Sequence, residues 1–184
     1  MKSKVLALIL LCGAASLGAK VKLPALVGDN MILQQQTEVK LWGTAAPEAE
    51  VRVTPSWNGQ TMTCRADKDG GWTLAVETPA AGYTPYEITF DDGEKTTLKN
   101  ILIGEVWLAS GQSNMEMPLK GFAGCCIMNG ADDIIVSAEN KGVRMFTVPK
   151  HQTYELQTDC KGSWNISSIE TAPDFSATAY YFAT

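Results

Sequence analysis

The sequence predicts an all-β unit followed by an α/β unit, and three observations carry that prediction. Short β-rich runs recur between turn signals over residues 20–103. A nearly continuous apolar stretch then runs from Ile101 to Ala109 and breaks at Ser110-Gly111-Gln112-Ser113-Asn114. Near the C-terminus, Phe175, Ala179 and Phe182 recur at helical spacing, with Asp174 near the start.

The β-rich runs are 31–34, 37–42, 50–55, 60–66, 72–77, 86–90 and 96–103. Val51 and Val53 alternate with polar neighbours, as do Trp72, Leu74 and Val76, which is the pattern of a half-buried strand. The breaks carry turn chemistry: Gly28-Asp29-Asn30, Ala46-Pro47, Asn58-Gly59, Asp69-Gly70-Gly71, Ala81-Gly82 and Asp91-Asp92-Gly93. Asn58-Gly59 favours the positive φ angles of a tight hairpin. Seven short strands at regular spacing predict a small β-sandwich over 20–103. In the second unit, 101–109 reads as a strand buried on both faces, 132–140 as a short helix, 143–148 as another strand and 175–182 as a helix. That alternation predicts an α/β arrangement over 104–184.

Residues 1–19 read as an address rather than as structure. Lys2 and Lys4 precede an apolar run of eight residues from Val5 to Cys12, and small residues lead to Leu17-Gly18-Ala19. This is the pattern of a secretory signal peptide, with cleavage expected after Ala19, or after Gly18 as the alternative, and the run is too short to span a bilayer. Export, to the periplasm or outside the cell, is the localisation this predicts. No other segment approaches the ~20 apolar residues of a transmembrane helix.

Composition excludes several function classes. The chain has 184 residues, with 15 basic and 20 acidic side chains. Loss of Lys2 and Lys4 with the leader leaves thirteen basic against twenty acidic residues, a charge of −7. Phosphate binding needs a surplus of Lys and Arg, so no nucleic-acid partner is expected. Cys64, Cys125, Cys126 and Cys160 remain after cleavage. One of the adjacent pair bonded to Cys160 and free buried thiols are both compatible with the spacing. No Cys-x-x-Cys or His-Cys cluster points to a metal.

The chemistry concentrates at Ser113. A buried strand followed by a sharp turn lifts a hydroxyl clear of the sheet edge, where α/β sites are built. Backbone N–H groups at the start of the next turn can stabilise an oxyanion. An ordinary serine capping a helix is the alternative reading. The Gly-x-Ser-x-Gly elbow is not met, because position 115 is Met, which disfavours a typical α/β-hydrolase.

The run Gly104-Glu105-Val106-Trp107-Leu108-Ala109-Ser110-Gly111-Gln112-Ser113-Asn114-Met115-Glu116-Met117-Pro118 closely resembles the nucleophile block of the sialate O-acetylesterase family, secreted carbohydrate esterases of the SGNH hydrolase class. Leu23-Pro24-Ala25, Asp29-Asn30-Met31-Ile32-Leu33-Gln34 and 39–43 resemble that family's N-terminal β-domain. Phe175-Ser176-Ala177-Thr178-Ala179-Tyr180-Tyr181-Phe182 resembles a helix that follows in it. The resemblance implies that 104–184 is the first part of an SGNH, flavodoxin-like α/β domain. It implies serine-dependent hydrolysis of O-acetyl esters on sialic acids or related sugars through an acyl-enzyme. Ser113 is then the nucleophile and supplies one oxyanion donor through its own N–H. Gln112 and Asn114 would shape the turn, and Glu116 would be an exposed carboxylate or a contact to sugar hydroxyls. An acetylated carbohydrate is the expected partner, and no cofactor or metal is required.

Parts of the family pattern have no counterpart before Thr184. These are the later oxyanion Gly and Asn blocks and the C-terminal Asp-x-x-His that supplies the base. The single histidine, His151, lies in Val148-Pro149-Lys150-His151-Gln152 and reads as a surface loop residue, with a substitute base as the weaker reading. The expectation is therefore an incomplete, inactive portion of such an enzyme. Two other functions compete: a carbohydrate-binding or structural β-sandwich module without catalysis, and an acetyl esterase for plant polysaccharides. Trp42, Trp57 and Trp72 read as packing residues, with Trp57 a possible sugar platform. Asn165-Ile166-Ser167 is a formal glycosylation acceptor.

Overall fold

A computed structural model describes residues 20–184; the predicted leader, 1–19, lies outside the described residues. The strands are β1 (Ile32–Gln34), β2 (Glu38–Thr44), β3 (Glu50–Pro55), β4 (Met62–Arg65), β5 (Gly71–Glu77), β6 (Gly82–Asp91), β7 (Lys95–Gly104), β8 (Arg144–Phe146) and β9 (Trp164–Ile166). Three short helices follow β7: α1 (Ser113–Glu116), α2 (Gly130–Val136) and α3 (Ala177–Ala183).

All seven strands expected in the first unit form, β3 with the expected bounds. They make a mixed five-stranded sheet in the order β1-β7-β6-β3-β4 and a separate β2-β5 pair. Only β1 runs parallel to its neighbour, β7; the other pairings are antiparallel. Register shifts in the β6-β7 ladder, around Tyr86, curl the larger sheet.

The period-two pattern explains why both sheets close on one core. Across β2-β5 the facing pairs Val39↔Val76 and Leu41↔Leu74 point inward, while Lys40↔Ala75 and Trp42↔Thr73 point outward. Val51, Val53, Ile88, Phe90, Ile101 and Ile103 face them from the larger sheet and are fully or almost fully buried. Trp72 packs on Phe90 with ring centroids 5.8 Å apart. Burial of side chains of this size is worth roughly 1.5–3 kcal/mol each.

Two glycines permit close approaches here. Gly70 has φ +87°, and a Cβ there would meet the Ala45 carbonyl oxygen at 2.5 Å. A Cβ on Gly43 would meet the Lys22 carbonyl oxygen at 2.4 Å, so a side chain would force apart the bridge between Lys22 and Thr44. The expected Asn58-Gly59 hairpin is different in detail. Gly59 alone takes positive φ, and its N–H closes on the Pro55 carbonyl, within a loop longer than two residues.

The second unit departs further from expectation. Strand β7 ends at Gly104, and residues 105–111 are exposed and outside any strand. Leu108 is 94% exposed and Trp107 66%. No strand among the described residues pairs with this segment, so its backbone has no ladder to join. Likewise β8 and β9 pair antiparallel, so no parallel crossover forms among the described residues of 104–184. The helices at 132–140 and 175–182 do form, as α2 with a following 3-10 turn and as α3. The N-cap of α3 is Ser176, whose Oγ accepts the Ala179 N–H; Asp174 instead pairs with Lys120. Phe175 precedes the helix and Phe182 is exposed, so the buried face is Ala177, Ala179 and Tyr180. Of these, Ala177 and Tyr180 pack with Leu119, Met145 and Ala172 in a second, smaller core.

Cys64, Cys125, Cys126 and Cys160 are all free thiols. Cys125 and Cys126 are exposed, which departs from both the pairing and the buried-thiol expectation. Burial pushes the Cys64 thiol up.

The shared core predicts its own sensitivity. Phe90→Ala should destabilise the chain by about 3–5 kcal/mol, read as a lower urea midpoint, whereas exposed Lys40→Ala should change stability by less than about 0.5 kcal/mol.

Candidate functional site around Ser113

The chain reaches Ser113 through a polar clamp at the end of the sheet. Gln34 and Gln35 donate from their side-chain amides to the two carboxylate oxygens of Glu105, at 2.9 and 2.7 Å. Gln34 Oε1 accepts the Val106 N–H at 2.9 Å, and the Gln35 N–H reaches the Gly104 carbonyl at 2.9 Å. The amides of Gln34 and then Gln35 hold the Glu105 carboxyl below its ordinary value. Beyond this clamp the chain is free of the sheet until α1.

Ser113 is the first residue of α1 and is exposed. Gln112 is the N-cap and makes no side-chain capping bond. Among the described residues Ser113 Oγ makes no hydrogen bond, so the serine is not the helix cap of the alternative reading. The Met115 and Glu116 N–H groups close on the Gln112 carbonyl, and the Met117 N–H on the Ser113 carbonyl. The Ser113 N–H precedes these bonds and has no intrahelical partner.

The start of α3 fixes this turn. Thr178 Oγ1 donates to the Asn114 carbonyl at 3.1 Å, and Ser176 Oγ to Met115 Sδ at 3.3 Å. The Ala177 N–H reaches the Met117 carbonyl at 2.8 Å, and the Leu119 N–H the Phe175 carbonyl at 2.9 Å. Helix α3 is held in turn by Tyr181, whose hydroxyl donates to Asp133 of α2 at 2.6 Å. Burial, then the bond and charge of Asp133, push the Tyr181 phenol up to about 12.

Glu116 is an exposed carboxylate paired with Lys150. That ion pair ties the 147–152 segment to α1. His151 is next to Lys150, yet its exposed ring forms no hydrogen bond or ion pair among the described residues, so no base within hydrogen-bond reach of Ser113 is assembled there. Gln112 and Asn114 flank the serine and are exposed.

A large cleft of about 850 Å³ lies beside this turn, not on it. Glu105, Val106, Trp107, Ala109, Phe182 and Arg144 are among its lining residues, and Ser113 is not. Trp107 and Phe182 meet edge-to-face at 5.1 Å. Arg144 reaches Asn100 at 3.2 Å but leaves buried Nε and Nη1 without partners, and burial pushes its guanidinium below the ordinary value. Nothing in the sequence singled out Arg144, which sits in an ordinary short strand. The residues anchoring α1, Thr178 and Ser176, were visible only as part of a helix motif. Among the described residues no group of three or more His, Cys, Asp or Glu converges as for a metal, and no helix is long and apolar enough to cross a membrane.

With this geometry in view, the chain is similar to carbohydrate acetylesterases. It superposes on the crystal structure of a carbohydrate acetylesterase from Xanthomonas citri with a TM-score of 0.80 and 32% identity, over 89% of this chain and 36% of that one. Sialate O-acetylesterase of Rattus norvegicus is 27% identical over 175 residues, 87% of this chain and 31% of the rat protein. The Homo sapiens sialate O-acetylesterase is 29% identical over 161 residues, 81% of this chain and 29% of the human protein. No protein-family model matches the chain. Sequence and fold together place the resemblance in the sialate O-acetylesterase family, and the chain spans about a third of the length of these relatives.

The clamp predicts a pH dependence. Its stabilisation is complete above the ordinary glutamate value of about 4.3 and is lost as pH falls through the lowered value of Glu105. The side-chain amide resonances of Gln34 and Gln35 should shift together in that acidic window and stay fixed in Glu105→Gln.

Proposed function

We propose that Ser113 is the nucleophile of a serine-dependent esterase that removes O-acetyl groups from sialic acids or related sugars. The observation that carries the reading is the Gly111-Gln112-Ser113-Asn114-Met115 turn, held exposed just past the sheet in a chain similar to carbohydrate and sialate acetylesterases. The seryl oxygen attacks the acetyl carbonyl, the sugar hydroxyl leaves, and water releases acetate from the acyl-enzyme. The Ser113 N–H supports this role as one donor to the developing oxyanion.

The proposed architecture is a β-sandwich over 20–103 and the first part of an SGNH-type α/β domain over 104–184. The shared core of the two sheets supports the first. The exposed apolar run 105–109, which has the composition of a strand buried on both faces, supports the second. The leader pattern of residues 1–19 supports export.

Among the described residues no base is hydrogen-bonded to Ser113, which supports the reading that the 184-residue chain by itself is nearly inactive. Loss of a triad member typically costs about 10⁴-fold or more in rate. Hydrolysis of an aryl acetate and of O-acetylated sialic acid by the purified chain should match that of Ser113→Ala. Strong turnover abolished by Ser113→Ala would keep the nucleophile and overturn the inactivity. Strong turnover unchanged in Ser113→Ala would overturn the nucleophile itself.

A further inference from the structure

We propose that the segment 106–110 is a self-association surface, and that a second copy of this chain pairs with it as an antiparallel strand about a twofold axis at Leu108. The resulting dimer is weak and reversible. Nothing in the proposal depends on the role of Ser113.

The backbone supplies the first argument. Gln34 Oε1 holds the Val106 N–H, but from Trp107 to Gly111 no main-chain N–H or C=O makes a hydrogen bond among the described residues. Each of these residues is exposed. A row of open donors and acceptors on an apolar segment is a template for another strand. Val106, Trp107 and Leu108 are of strand-forming types, and no proline or charged residue occurs from Val106 to Met115.

The side chains supply the second. Leu108 is 94% exposed, Trp107 66%, Phe182 64% and Val106 42%. Trp107 and Phe182 already touch edge-to-face, so the four form one patch with the segment. They expose roughly 500 Å² of apolar surface per copy, a size that marks an interaction site. With the strand backbone, two copies bury on the order of 1,200 Å², the low end of specific interfaces. That area fits micromolar rather than tighter association.

Charge and register select a second copy as the occupant. The chain carries a net charge of −5, yet this strip is neutral, so two copies meet on it without local repulsion. A charged partner finds no free ion here: Glu105 is held by Gln34 and Gln35, and Glu116 by Lys150. Antiparallel pairing about Leu108 sets Leu108 against Leu108, Trp107 against Ala109 and Val106 against Ser110, each large side chain outside the axis against a small one. Within 105–109, Leu108 is the residue that does not line the cleft beside the Ser113 turn, which leaves it free to meet its twin.

Sedimentation velocity of the purified chain is the test, with reductant present so that exposed Cys125 and Cys126 do not cross-link copies. A monomer–dimer equilibrium should appear with a Kd on the order of 10–100 µM. Alternate amides within 106–110 should exchange slowly with solvent in concentrated samples and fast in dilute ones. Leu108→Asp and Leu108→Lys each set like charges face to face and should weaken the dimer about tenfold or more. An equimolar mixture of the two should recover association to within about threefold of the parent. Leu156→Asp, at an equally exposed leucine outside the strip, should leave the dimer unchanged. Circular dichroism checks that each variant folds, which the exposure of Leu108 favours. A chain that stays monomeric, assemblies larger than a dimer, a dimer indifferent to Leu108→Asp or equally lost in Leu156→Asp, or a mixture that fails to recover would overturn the proposal.

Discussion

The clamp between Gln34, Gln35 and Glu105 determines where the sheet releases the chain. Strand β1 pairs parallel to β7 through Ile32↔Leu102, Leu33↔Ile103 and Gln34↔Gly104, so two glutamines arrive beside the last rung. Their amides hold both oxygens of Glu105, and Gln34 also holds the Val106 N–H. Charge-assisted bonds of this kind are stronger than neutral ones. Everything downstream, including the approach to Ser113, starts from that fixed point.

Two cores of unequal size follow from this geometry. The larger lies between the curled sheet and the β2-β5 pair, and the smaller gathers Leu119, Met145, Ala172, Ala177 and Tyr180. Contacts between distant parts of the sequence join them: Trp164 donates its indole N–H to the Leu26 carbonyl, and Asp159 accepts the Ala25 N–H. The Ser113 turn belongs to the smaller core through Thr178, Ser176 and Leu119. Its position therefore depends on a short helix some sixty residues later rather than on the strand that precedes it.

Most of the β unit was legible because strands with one buried face record it as alternation. Val51 and Val53 alternate with polar neighbours and are buried, and so are Trp72, Leu74 and Val76. The same rule placed Trp42 outside once Leu41 was inside, although the reading as packing hid its exposure. The run 101–109 was misleading for a physical reason. A continuous apolar segment forms a strand only when neighbouring strands supply hydrogen bonds, and among the described residues none pairs with 105–109. At α3 the helix was visible in the apolar spacing, but the cap was not Asp174, because Ser176 is the residue whose oxygen reaches back to the Ala179 N–H.

The sequence by itself determined the seven-strand pattern, the serine turn and the resemblance carried by the residues around it, since periodicity and short motifs are local properties of the chain. Tertiary structure alone decided that Ser113 is exposed and its turn held by Thr178 of α3, and that Lys150 binds Glu116 while His151 forms no hydrogen bond among the described residues. Those facts join residues far apart in the chain, and their distances are set by how two sheets and a small helical core pack rather than by any spacing written along it.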